Sequence, residues 1–162
     1  MCLSNAVLID PPHEDMTVYK LFVETKDGRT LSIFREYEFL LNEKLSAECD
    51  YNEYGWLARR VGKFRNTDVM VTMVPDESEG VSKIYSGVFH SLRYLEDAVR
   101  LFSTLVAEDA YGKMINGEMT IRKCIIPKDS DVIFLGKYNQ FESYGSKNII
   151  VTDEITHKYS KY

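Results

Sequence analysis

The chain of 162 residues has the size of one domain, and its 44% hydrophobic and 28% charged residues match soluble globular proteins rather than disordered, collagenous or membrane-spanning ones. Twenty-five acidic residues against twenty basic ones leave a net charge of −5, so there is no global attraction to a phosphate backbone and any nucleic-acid site must be local. Eleven Tyr, eight Phe and one Trp make 12% of the chain aromatic, a surplus over what a core of this size needs.

Residues 1–15, with Pro11-Pro12 and little periodicity, read as an extended arm. The start lacks a basic n-region, and no apolar window reaches the roughly 18 residues of a membrane helix. Cys2, Cys49 and Cys124 are widely spaced without a C-x-x-C pair, and fit free thiols in a reducing cytoplasm. His13, His90 and His157 are equally scattered, so no metal site is expected. Cys2, exposed as a terminal thiol if Met1 is removed, is followed by a polar arm rather than the buried strand that an N-terminal nucleophile begins.

A single α+β domain is expected over residues 16–155. Thr17 to Thr25 is rich in β-branched and aromatic residues, Lys26-Asp27-Gly28 supplies a turn and Arg29 to Phe34 returns, which predicts a β-hairpin. Residues 35–55 fit helical and strand templates about equally, and their type stays open. Asp68 to Val74 reads as a strand stopped by Pro75, and residues 76–80 as a polar loop. Leu95, Ala98, Val99, Phe102, Leu105 and Val106 form one apolar stripe, which predicts an amphipathic helix over about residues 95–109. Glu96 and Asp97 suit the positive end of its dipole.

The last third reads as all-β: strands over Met119 to Ile126, Asp131 to Gly136 and Asn148 to Asp153. The continuous runs Val132 to Leu135 and Ile149 to Val151 predict strands covered on both faces, one by the helix. Gly136 to Lys147, with Tyr138, Phe141 and Tyr144 among Gly and Ser, reads as a long aromatic loop, and residues 156–162 as a frayed tail. The expected architecture is a mostly antiparallel, twisted sheet of about five to seven strands with one main helix.

Several groups are candidates for chemistry. His90, in Gly87-Val88-Phe89-His90-Ser91, has a pKa suited to proton transfer, while its plain reading is a turn-ordering residue. Arg59, Arg60, Lys63 and Arg65, interleaved with Trp56 and Phe64, offer cations and rings for a single-stranded nucleic acid; the plain reading pairs them with Glu36, Glu38 and Glu53. Glu154, after Asp153 at the end of the last strand, is a carboxylate that can act as a base or simply close the strand at solvent.

The opening Tyr19-Lys20 strand, the Gly87 to Ser91 step into Leu95-Glu96-Asp97-Ala98, the stretch Cys124 to Ser130 and Tyr144 to Val151 resemble a family of small proteins found in phages and prophages of gut bacteria. The resemblance spans roughly residues 17–155 and implies a small cytoplasmic accessory protein, without an established activity. The order of elements is also similar to ADP-ribosyltransferases, which implies an NAD- or nucleotide-binding enzyme with Lys20 on the first strand, Glu154 as the late acid, His90 in the cleft and Tyr85 or Tyr94 for stacking. This chain has Lys20 where that family has Arg or His, lacks its Ser-Thr-Ser strand, and has Thr152 where a second acid belongs. The leading expectation is therefore a non-enzymatic module without a cofactor, binding a host or phage protein through Tyr138, Phe141 and Tyr144.

Overall fold

The computed structural model describes residues 3–33, 38–47, 59–64, 67–76, 81–84, 88–107, 117–130 and 133–160. In chain order these form β1 (Leu3–Ile9), β2 (Met16–Thr25), β3 (Thr30–Ser32), β4 (Lys44–Ser46), β5 (Arg59–Phe64), β6 (Thr67–Asp76) and β7 (Val81–Ile84). There follow β8 (Phe89–Leu92), α1 (Leu95–Ala107), β9 (Gly117–Ile126), β10 (Ile133–Tyr138), β11 (Phe141–Ser146) and β12 (Asn148–Ser160). The α+β class with one helix and an antiparallel sheet is as expected, but the described residues make twelve strands instead of five to seven. The order is β4-β12-β9-β2-β8-β11-β10-β1-β7-β6-β5, with β3 beside β2.

Three of the extra pairings come from segments that look irregular in sequence. The stretch read as a free arm is extended, but β1 is woven between β10 and β7, with Leu3 and Ala6 buried. Gly136 to Lys147 is not a loop. It is a hairpin in which β10 and β11 pair from Ile133↔Ser146 to Tyr138↔Phe141, turned by Asn139 at φ 53°. Gly136 and Gly145 serve close packing there: a Cβ on Gly136 would lie 2.7 Å from Leu3 Cγ and Ser4 O, and one on Gly145 2.8 Å from Val88 Cγ2. The tail is likewise ordered to Ser160, because β12 continues along β9 from His157↔Ile121 to Ser160↔Glu118.

The β2–β3 hairpin forms as its turn chemistry requires, with Gly28 at φ 87° and Thr25 N donating to Arg29 O at 2.9 Å. Within 35–55, the described part supplies bridges at Glu38 and Leu41 and the short strand β4 against β12.

Strand alternation sends side chains to two separate cores. Leu21 and Val23 of β2 and Met119 and Ile121 of β9 join Ala98, Leu101, Phe102 and Leu105 of α1. Val18 and Phe22, with Cys124 and Ile126, join Phe39, Phe89, Phe134, Ile149 and Val151 on the opposite face. The buried helix positions are i, i+3, i+4 and i+7, the expected stripe shifted to include Leu101. The helix packs on β2, β8 and β9, so the apolar runs at Ile133-Phe134 and Ile149 to Val151 are covered by the second core instead.

Candidate functional site

Strand β2 is flanked on one side by β9 along its whole length, from Met16↔Ile126 to Thr25↔Gly117. On its other side two strands share the edge: β3 opposite Phe22 to Glu24, and β8 opposite Tyr19. The sheet therefore splits at Lys20 and Leu21, where neither strand forms a ladder among the described residues. Lys20 fills the split. Its Nζ donates to the His90 carbonyl at 2.8 Å, which satisfies a backbone acceptor of β8 where that strand diverges from β2.

The same split is plugged from above by Phe39. Its backbone N donates to Thr30 O at 2.8 Å, which ties the segment to β3. Its ring meets Phe22 edge-on at 5.2 Å and Phe89 at 5.9 Å between centroids, so one ring bridges the two strands that part. The Lys20 ammonium lies 5.6 Å from the Phe39 ring centre, within reach of the ring's negative face.

Burial of the Lys20 ammonium outweighs the nearby Cys124 thiolate form and lowers its pKa to about 8. Burial likewise pushes the Cys124 thiol up to about 12, against the charges of Lys20 and Arg122, so Cys124 is an inert packing residue at neutral pH. The two shifts act oppositely on stability. Between pH 8 and 10.5 the unfolded chain holds the Lys20 proton that the folded chain has released, so stability rises with pH. Above pH 9 the unfolded chain loses a Cys124 proton that the folded chain keeps, so stability falls. Urea unfolding should show a net gain of about 0.6 kcal/mol from pH 8 to 9 and a plateau above. In Cys124→Ala the rise should continue toward pH 10.5; a flat profile from pH 8 in both proteins would contradict these assignments.

Opposite Lys20 in the β2–β9 register stands Arg122, which belongs to a second polar cluster on the same face. Arg122 Nε donates to Glu24 Oε1 at 2.6 Å and its Nη1 to Thr152 O at 3.1 Å. Glu24 also accepts from Thr120 Oγ1 at 3.0 Å and from Thr30 Oγ1 at 2.6 Å. Burial alone would raise the Glu24 pKa, but the Arg122 and Thr30 hydrogen bonds, the Arg122 charge and Thr120 hold it below the usual carboxylate range. The cluster joins β2, β3, β9 and β12 and reads as a structural clasp.

The residues named as an enzyme's set are only partly brought together. Lys20 and His90 meet, though through the His90 backbone oxygen. Glu154 is exposed and lies 3.6 Å from Lys123, whose register partner Tyr19 packs with the helix-face core, whereas Lys20 lies on the other face. Among the described residues no group of His, Cys, Asp and Glu is placed to hold a metal. Arg59, Arg60 and Lys63 fall on β5, whose side chains lie outside the described residues, as do Arg65 and Tyr85.

Tyr138, Phe141 and Tyr144, expected on an exposed loop, occupy strands. Tyr144 is buried at 6% exposure and is a core residue; Tyr138 and Phe141 face each other, half-buried, against the helix-face core. Beside them lies a pair that aromatic counting had not singled out for partner binding. Arg93 N donates to Glu142 O at 3.0 Å, its guanidinium pairs with Glu142 Oε2 at 3.0 Å, and it covers the Tyr94 ring at 5.1 Å. Tyr94, whose carbonyl accepts the first helical bond from Ala98 N, is 40% exposed. In sequence it was named only as a stacking ring under the ADP-ribosyltransferase resemblance, not as part of a partner surface.

The motifs around Ser130 and Ser146 also prove structural. Ser130 Oγ donates to Asn148 Oδ1 at 3.1 Å, Asn148 Nδ2 to Ser46 Oγ at 2.7 Å, and Ser146 Oγ to Asn148 O at 2.9 Å, which locks β4 and β12 together. No family model matches the chain, and neither a curated protein nor a solved structure matches it.

Proposed function

We propose that the protein is a non-enzymatic binding module that holds another protein through the rings and charges near the turn end of the β10–β11 hairpin. The observation that carries this reading is Tyr94: 40% exposed, stacked under Arg93, which is itself anchored by Glu142. Tyr138 and Phe141 pack half-buried against the helix-face core at the same end of the hairpin, and buried Tyr144, on the Glu142 face of β11, supports the surface from within the sheet. Tyr and Arg are the side chains most often found at the energetic centre of protein interfaces, because they supply large area at low entropic cost. The separation of Glu154 from Lys20 favours binding over catalysis. The resemblance to phage and prophage proteins supports a host or phage protein in the cytoplasm as the partner.

The test is affinity for the partner that co-purifies from the producing cells. Tyr94→Ala should weaken it by about tenfold or more, about 1.4 kcal/mol, without lowering the melting temperature. Lys26→Ala, in the exposed turn between β2 and β3, should leave it unchanged. Equal affinity of the Tyr94→Ala and wild-type proteins would overturn the reading.

A further inference from the structure

The split occupied by Lys20 holds more donor capacity than the fold uses. Lys20 and Arg122 are cross-strand partners, two cations directly opposite on one face, and the carboxylate beside them, Glu24, is bound to Arg122 and two threonines. An ammonium has three donors, and among the described residues Lys20 uses one, on the His90 carbonyl. Ser91 follows His90, whose carbonyl Lys20 Nζ reaches, and its β11 partner Tyr144 belongs to the same core as Val18 and Phe22 on either side of Lys20, so Ser91 lies on the Lys20 face. Ser91 is 1% exposed, and its Oγ has no hydrogen-bond partner among the described residues. A buried hydroxyl left unbonded and a desolvated cation without a carboxylate each cost stability. One bound oxyanion would satisfy both.

We infer that the split between β3 and β8 is a binding site for a small oxyanion, a carboxylate or phosphate group, received by Lys20 Nζ and Ser91 Oγ. The titratable groups around Lys20 are Cys124 and Arg122 on β9, Glu24 on β2, His90 on β8 and Glu38 beside Phe39 in the segment over the split. Cys124 stays a neutral thiol, and Arg122 and Glu24 form an ion pair whose charges cancel, which leaves Lys20 as the net cation of the group. The site is independent of the Tyr94 surface, so either can fail alone.

The direct test is NMR titration of the full chain carrying 13C at lysine Cε, with chloride replaced by inorganic phosphate or by acetate at constant ionic strength. A bound oxyanion stabilises the charged amine, so at least one of the two should raise the Lys20 midpoint by about one unit, a tenfold gain in proton affinity. The exposed Lys26 and Lys137 should not move. The arm that responds tells phosphate from carboxylate chemistry, and in Ser91→Ala the shift should shrink severalfold. A Lys20 midpoint unmoved by both anions, or a shift undiminished in Ser91→Ala, would overturn the inference.

Discussion

Glu24→Leu should lower the unfolding free energy by about 3 to 5 kcal/mol, one of the two largest single effects expected in the chain. It leaves the Arg122 guanidinium, on a residue only 6% exposed, without its carboxylate, and strips Thr30 and Thr120 of a shared acceptor. The desolvation of the remaining cation, more than the lost attraction, sets the size of this cost. The control is the double variant Glu24→Leu/Arg122→Met, which replaces both charges by apolar groups and should recover most of the loss. Urea unfolding of the wild type, both single variants and the double variant closes the cycle. Additive losses would mean that the pair is not a coupled clasp.

Phe39→Ala comes second, with an expected loss of about 3 to 5 kcal/mol from a buried ring that touches both Phe22 and Phe89. It carries a second readout that simple cavity formation elsewhere would not move. With the ring gone, water reaches the Lys20 ammonium, and its pKa should return from about 8 toward 10.5. Phe39→Leu keeps the split dry and should cost less while leaving the Lys20 midpoint low. A Phe39→Ala protein with an unchanged Lys20 titration would show that this ring does not set the lysine's environment.

Both positions illustrate which parts of the fold local sequence carries. The β2–β3 hairpin and α1 were legible because their signals are local: an Asp27-Gly28 turn between β-rich runs, and an apolar stripe at helical spacing. The β10–β11 hairpin was misread because Gly136, Ser143, Gly145 and Ser146 have the composition of a loop. The absence of a side chain at Gly136 and Gly145 answers instead to neighbours distant in sequence, Leu3 and Val88, which a periodicity argument does not see. Its turn at Asn139-Gln140 also lacks the Asn-Gly pair that announces a two-residue hairpin. The arm at Leu3–Ile9 and the tail up to Ser160 are ordered by pairing with strands more than thirty residues away.

The site residues follow the same rule. Lys20 was singled out as a first-strand position, and the structure places it at a real junction, but its partner is a main-chain oxygen 70 residues away rather than a cofactor group. Glu24 and Arg122, 98 residues apart, carried no local signal at all. The aromatics expected on a C-terminal loop are built into strands, with Tyr144 in the core and Tyr138 and Phe141 half-buried, and among the described residues the exposed ring is Tyr94, contributed by the helix N-cap.

Site-specific photo-cross-linking in the producing cells tests the binding reading most directly. A cross-linking side chain at position 94 should trap one protein adduct of defined mass, the same adduct should appear from position 142, and Lys26 in the β2–β3 turn should give none. An identical pattern from positions 94, 142 and 26, or no adduct from position 94, would contradict a partner surface centred on Tyr94.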